Sequence, residues 1–147
     1  MEALWTRFFP LTRELRKLLH EDKILGSIKR VMADFSVPVV SKNHRLHDAM
    51  LGGGALLDLG IYPLQWVYLV LFDHPENDRQ RPRINAAMLM SDIANVDEHT
   101  TVALTFDKLR ASGVISTSMA VKTPSPYSVA ILGEKVRPIL VAVKSVN

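Results

Sequence analysis

Cysteine is absent from these 147 residues. That excludes disulfides and thiolate-bound metal, and fits a reducing compartment. A strong excess of one charge is also absent: 18 Lys and Arg face 15 Asp and Glu, for a net charge of +3. The densest basic run, Arg79-Gln80-Arg81-Pro82-Arg83, has no interleaved aromatics. It reads as a solvated loop, not a nucleic-acid surface. The acidic start at Glu2 does not suit a signal peptide. No Gly-x-Gly-x-x-Gly turn follows a strand, so these residues carry no dinucleotide fingerprint. The longest apolar run, Ala55 to Phe72, is interrupted by Asp58, Gly60, Pro63 and Gln65. It predicts a buried helix of a soluble domain, not a membrane span. What remains is ordinary globular composition, 48% hydrophobic and 22% charged, enough for one domain with its own core.

Leu11, Leu15, Leu18 and Leu19 recur at helical spacing behind Pro10, with Arg13, Glu14, Arg16 and Lys17 between them. This predicts a helix from Pro10 to about Glu21, stopped by Gly26. Ile28 to Val37 alternates as a strand, with Val31, Ala33 and Phe35 on one face. Pro38 to Met50 reads as a loop. Further strand-like runs are Ile84 to Met90, Thr100 to Phe106, Gly113 to Ala120 and Tyr127 to Leu132. Asp107-Lys108 and Thr123-Pro124-Ser125-Pro126 supply turns. Strands joined by short links predict an antiparallel meander. The fold class expected is α+β, an open, mostly antiparallel sheet with helices on one face. Thr101, Thr105, Thr117 and Ser118 are candidates for a half-polar bare face.

The chemistry-bearing segment is Gly52-Gly53-Gly54-Ala55-Leu56-Leu57-Asp58-Leu59-Gly60-Ile61-Tyr62-Pro63. Asp58 and Tyr62 are four residues apart, so a helix projects both from one face, just past a flexible turn. A carboxylate on an apolar helix needs a partner, and a phenol beside it can donate or accept a proton. The structural alternative is equally simple. Asp58 serves the helix N-terminus and Tyr62 is core with its hydroxyl at the surface.

This segment resembles the signature of the glucose-fructose oxidoreductase/inositol dehydrogenase (GFO/IDH/MocA) family, Gly-Gly-Gly-x-Leu-x-Asp-x-Gly-x-His/Tyr. Together with Glu2-Ala3-Leu4-Trp5-Thr6-Arg7-Phe8-Phe9-Pro10, Leu25-Gly26-Ser27-Ile28-Lys29 and Asp97-Glu98-His99-Thr100-Thr101, it is most similar to the branch of dimeric dihydrodiol dehydrogenases and NADP-dependent D-xylose dehydrogenases. The likeness runs from residue 1 to about Lys135. The family's Rossmann turn and its Glu-Lys-Pro segment, which supplies a catalytic lysine, have no counterpart here. Glu134-Lys135-Val136 is a different, C-terminal sequence. The resemblance therefore implies the family's C-terminal substrate and dimerisation domain at 1–135, followed by a divergent tail at 136–147. It implies a truncated product or gene model of a cytoplasmic enzyme.

By the same resemblance, Tyr62 is the general acid/base that takes the substrate hydroxyl proton as hydride leaves to the nicotinamide. Asp58 orients the site or holds substrate. Trp5 and Phe35 line an aromatic substrate pocket, or else are plain core. Arg7 reads as a substrate or cofactor contact, or else as a surface or helix-capping arginine, and Lys29 is unassigned. The implied cofactor is NADP, held mainly by the absent domain, so that the chain alone binds it weakly. The implied partner is a second copy, through the bare sheet face. His44, His47 and Asp48 have metal-like spacing, but no third ligand class is marked and no metal is expected. His99 reads as a solvated side chain. The expected function is a fragment of an NADP-dependent dehydrogenase oxidising D-xylose or a trans-dihydrodiol. The alternatives are a non-catalytic dimerisation module and a non-functional truncated product.

Overall fold

A computed structural model of the chain describes residues 4–123, 128–135 and 138–141. The Glu2-Ala3 start, the Pro124–Pro126 turn, Tyr127 and the rest of the 136–147 tail lie outside the described residues.

Pro10 opens helix α1 (Pro10–Arg16) in its first turn, where the missing N–H costs nothing. The helix continues through a wider turn, Lys17–Glu21, closed by Asp22 N–H donating to the Lys17 carbonyl. Leu15 and Leu19 turn its apolar stripe onto the core. Strand β1 (Ile28–Ser36) follows. Short turns at Arg45–His47 and Ala49–Leu51 then lead into α2 (Ala55–Leu59) and α3 (Ile61–Val67), which runs on through Tyr68–Phe72. Gly60 keeps right-handed helical angles between α2 and α3, so the two are nearly one helix. Pro63 lies in the first turn of α3 and is tolerated there.

Five further strands follow among the described residues: β2 (Arg83–Met90), β3 (Asp97–Phe106), β4 (Ala111–Ser118), β5 (Val129–Gly133) and β6 (Ile139–Val141). The six strands form one sheet in the order β2-β3-β4-β1-β5-β6. The expected meander is present in β2-β3-β4. The departure is that β1 pairs in parallel with β4, Val31 opposite Gly113 and Phe35 opposite Thr117. The other four pairings are antiparallel, so the open, mostly antiparallel sheet holds. The parallel pair arises because the two helices cross over between β1 and the β2-β3-β4 unit. Ile139–Val141 of the tail pairs with β5 and extends the sheet.

The helices cover one face. Val31, Leu104, Phe106, Ile115 and Ile131 meet Val67, Val70 and Leu71 from α3 and its continuation. Fully burying such a side chain contributes about 1.5–3 kcal/mol each. A glycine sets the closest approach: a Cβ on Gly113 would overlap the Val67 side chain. The Ala49–Phe72 stretch is long and apolar enough to cross a membrane, but half of its apolar window is buried inside the domain, as in a core helix.

Among the described residues no helix covers the opposite face. Thr101 and Thr105 lie on it, as expected, with Met32, Ala103 and Val114 in register beside them. Thr117 does not; it is buried on the helical side, where its hydroxyl donates to the Phe35 carbonyl. Strict alternation along β4 puts it there, beside Ile115 and Gly113 on the same face.

Candidate active site

The site is built where the carboxyl end of β1 meets the start of the long helix. Gly54 has φ of +105°, closed to most side chains, and a Cβ there would overlap the Asp97 carboxylate. Asp97, 8% exposed, accepts from the Leu56 backbone N–H at 2.8 Å and from the Thr100 hydroxyl at 2.5 Å. It therefore satisfies one of the free N–H groups of α2 from forty-one residues away. The glycine triplet lets this carboxylate approach.

That leaves Asp58 for something else. Its Oδ1 accepts from Arg45 Nη2 at 2.6 Å, in a half-exposed ion pair. The simple reading of Asp58 as a cap for its own helix is corrected: Asp97 makes that bond and Arg45 holds Asp58. One turn further along, Tyr62 is 41% exposed and its ring lies on Phe35, with centroids 4.9 Å apart at a 56° tilt. Tyr62 is thus not buried core. Its phenol stands at an open surface, with an aromatic floor beneath it and a guanidinium–carboxylate pair on the preceding turn.

Trp5 is not brought to this group. It is 63% exposed and packs edge-on against Phe9, with centroids 5.2 Å apart. Arg7 donates to Asp73 Oδ2 at 2.7 Å and ties the Trp5 turn to the far end of the long helix. At about 1.5 Å rise per residue, Asp73 is roughly 16 Å along the axis from Tyr62. Lys29, next to Ile28 at the start of β1, is ion-paired with Glu134 at 2.9 Å.

The His44-His47-Asp48 group does local work. His44 Nδ1 accepts from the Leu46 N–H and Asp48 Oδ1 from the Met50 N–H, each closing a short turn. Among the described residues no three His, Asp or Glu side chains gather as a metal site. His99 pairs with its neighbour Glu98 at 3.2 Å.

Two contributors to the site were not legible. Arg45 sits between two histidines in a loop, thirteen residues from Asp58. Asp97 opens a strand far along the chain. Neither pairing has a local spacing to betray it. The only available signal was the need of an apolar-helix carboxylate for a cation.

Residues 12–137 match the family model of the GFO/IDH/MocA C-terminal domain. Among curated proteins, the chain is 36% identical over 133 residues to a D-xylose 1-dehydrogenase (NADP(+)) of Hypocrea jecorina, covering 84% of this chain and 34% of the relative. It is 37% identical over 135 residues to a trans-1,2-dihydrobenzene-1,2-diol dehydrogenase of Xenopus tropicalis, covering 92% and 38%. The chain thus spans little more than a third of the length of these relatives. In fold it is similar to an aldose-aldose oxidoreductase of Caulobacter crescentus solved with glycerol, with a TM-score of 0.71, 22% identity, and coverage of 87% of this chain and 36% of that one. It also resembles GenD2 of gentamicin A biosynthesis solved with NAD, with a TM-score of 0.70, 20% identity, and coverage of 92% and 37%.

Proposed function

This chain belongs to the GFO/IDH/MocA family, as a C-terminal domain of that kind, and from that premise we propose that it is the substrate-side part of an NADP-dependent dehydrogenase acting on a CH–OH group of D-xylose or a trans-dihydrodiol. The observation that carries the proposal is the Asp58–Tyr62 helix face. An exposed phenol stands on the Phe35 ring, one turn from a carboxylate already neutralised by Arg45.

In this reading Tyr62 removes the hydroxyl proton of the substrate, and NADP, when bound, would supply the acceptor for the hydride of the adjacent C–H. The oxygen becomes a carbonyl, so proton and hydride leave from the same carbinol. Phe35 offers an apolar wall to a sugar ring face or a dihydrodiol ring. Asp58, oriented by Arg45, is the acceptor for a neighbouring substrate hydroxyl. Trp5 would join the pocket only if the turn that carries it packed differently against a further domain. The cofactor is NADP. The described residues offer it no glycine-rich phosphate turn, so its main site is proposed to lie in the part of the relatives that this chain does not span. The enzyme is proposed to be cytoplasmic and to pair through the bare sheet face.

The alternative of a purely dimerising module is favoured by that same bare face. A domain exchange separates the two. Residues 1–135, placed in the D-xylose 1-dehydrogenase of Hypocrea jecorina in place of its matching third, should give NADP-dependent oxidation of D-xylose or of a trans-dihydrodiol. A folded hybrid that binds NADPH yet turns over neither substrate contradicts the catalytic reading.

A further inference from the structure

At the other end of the long helix lies a cavity of about 330 Å³ that the proposed reaction does not use. Its walls carry Arg7, Arg16, Arg79, Asp73, His74 and Asp78. Three guanidiniums thus meet two carboxylates, and the carboxylates are already engaged. Asp73 accepts from Arg7 at 2.7 Å, and Asp78, 87% exposed, leans toward Lys108 at 3.6 Å. Among the described residues neither Arg16 nor Arg79 has an ion-pair partner. With Arg7 set against Asp73 and Lys108, from outside the cavity, set against Asp78, Arg16 and Arg79 are the two guanidiniums without an ion-pair partner among the described residues at this opening.

The backbone that presents Arg79 is strained. Asp78 and Arg79 both have φ of +53°, a left-handed conformation that aspartate adopts readily and arginine rarely. A fully buried side chain enforces it: Asn77 Nδ2 donates to the Phe72 carbonyl at 3.1 Å and to the Gln80 carbonyl at 3.0 Å. His74 is fixed too, its Nδ1 accepting from the Glu76 N–H at 3.1 Å, so the neutral ring keeps its proton on Nε2 as a further donor. Glycine would make this turn without strain. The strain is spent on placing a guanidinium beside a second unpaired one.

We propose that this cavity binds a dianionic phosphate group, free or as a phosphomonoester, between the guanidiniums of Arg16 and Arg79. Two unpaired forks match two negative charges and supply charge-assisted N–H donors to the phosphate oxygens. The site is independent of Tyr62 and of the dehydrogenase reading.

Phosphorus NMR of inorganic phosphate titrated with the 147-residue chain at low ionic strength tests it. A saturable one-to-one shift is expected. Arg16→Gln and Arg79→Gly should each weaken binding at least about tenfold, the loss of one charge-assisted bond. Arg79→Gly should melt no lower than the parent, because glycine accepts the left-handed angle, so lost binding there is not lost folding. Lys42→Gln, which removes the same charge elsewhere, should bind as the parent does. Glycerol phosphate in the same titration identifies the source: tighter binding than inorganic phosphate marks a monoester ligand, weaker binding a free ion. Absence of saturation, or equal weakening by Lys42→Gln, overturns the proposal.

Discussion

Asp58 and Asp97 show how one residue type takes two roles within one site. Both carboxylates lie beside the same short helix, yet Asp97 holds its backbone and Asp58 holds a guanidinium. Asp97→Ala removes the acceptor for Leu56 N–H and Thr100 Oγ1 together. Loss of such a cap should cost about 1–3 kcal/mol of stability, read as a lower urea midpoint, with Asp97→Asn losing less. An unchanged midpoint would show that water replaces the carboxylate. The Asp58–Tyr62 pair was legible from sequence because its spacing is local and helical. The partners were not, because Arg45 and Asp97 reach the helix through the fold. The metal-like spacing of His44, His47 and Asp48 was legible, and His44 and Asp48 each close a short turn.

Among the elements, the helices and strands were largely legible: alternation marked β1, strand-like runs marked β2 to β5, and Pro10 marked the start of α1. Strand order was not, since the parallel β1–β4 pairing depends on where the α2–α3 crossover lands. Gly113 fixes that landing. Gly113→Ala should push α3 off β4 and destabilise by about 1–3 kcal/mol, the cost typical of overpacking, measured by chemical denaturation. The end of α1 is joined to the end of the long helix by two histidines. His20 is buried with Nε2 3.0 Å from the Val70 carbonyl, and the His74 ring lies 4.8 Å away. Burial holds both below the ordinary histidine value; for His20 the carbonyl opposes this, while His74 and Arg16 add to it. Below about pH 6.5 the unfolded chain therefore binds more protons than the folded one, so stability is full above that value and falls as pH drops through it. The exposed Glu76, Asp107 and Glu134 have lowered values too, so their contribution is lost only below the ordinary carboxylate value, outside this window. Thermal midpoints should decline between about pH 7.5 and 5.5, and less so in His20→Gln. An equal decline in that variant assigns the effect elsewhere.

At the scale of the whole molecule, the described residues leave one sheet face covered and one bare, with an edge strand, β2, exposed along its length. Met32, 45% exposed, sits near the middle of the bare face, in register with Val114 and Ala130. Six strands of three to ten residues, about 4.8 Å apart, present roughly 600–700 Å², close to the ~800 Å² per partner of a standard interface. The chain should therefore run as a dimer in light scattering at roughly tens of micromolar, where weak association is populated by mass action. Met32→Glu should give a folded monomer; a parent that is already monomeric would remove the assignment of this face. The bare face could be anticipated from sequence because the chain has too few helices to cover both sides. Its partner, a second copy, is implied by the family resemblance alone, because a surface does not name what covers it. The chain alone should bind NADP(H) weakly or not at all, as its residues lack the phosphate turn; micromolar affinity by calorimetry would contradict that. The most direct measurement concerns Tyr62 in the domain-exchange hybrid described above. Tyr62→Phe keeps the ring on Phe35 and deletes only the hydroxyl. Turnover should fall by about 10²–10⁴, the usual worth of a general acid/base, with NADPH affinity unchanged. Near-parental turnover would contradict the account and leave Tyr62 as a packing residue.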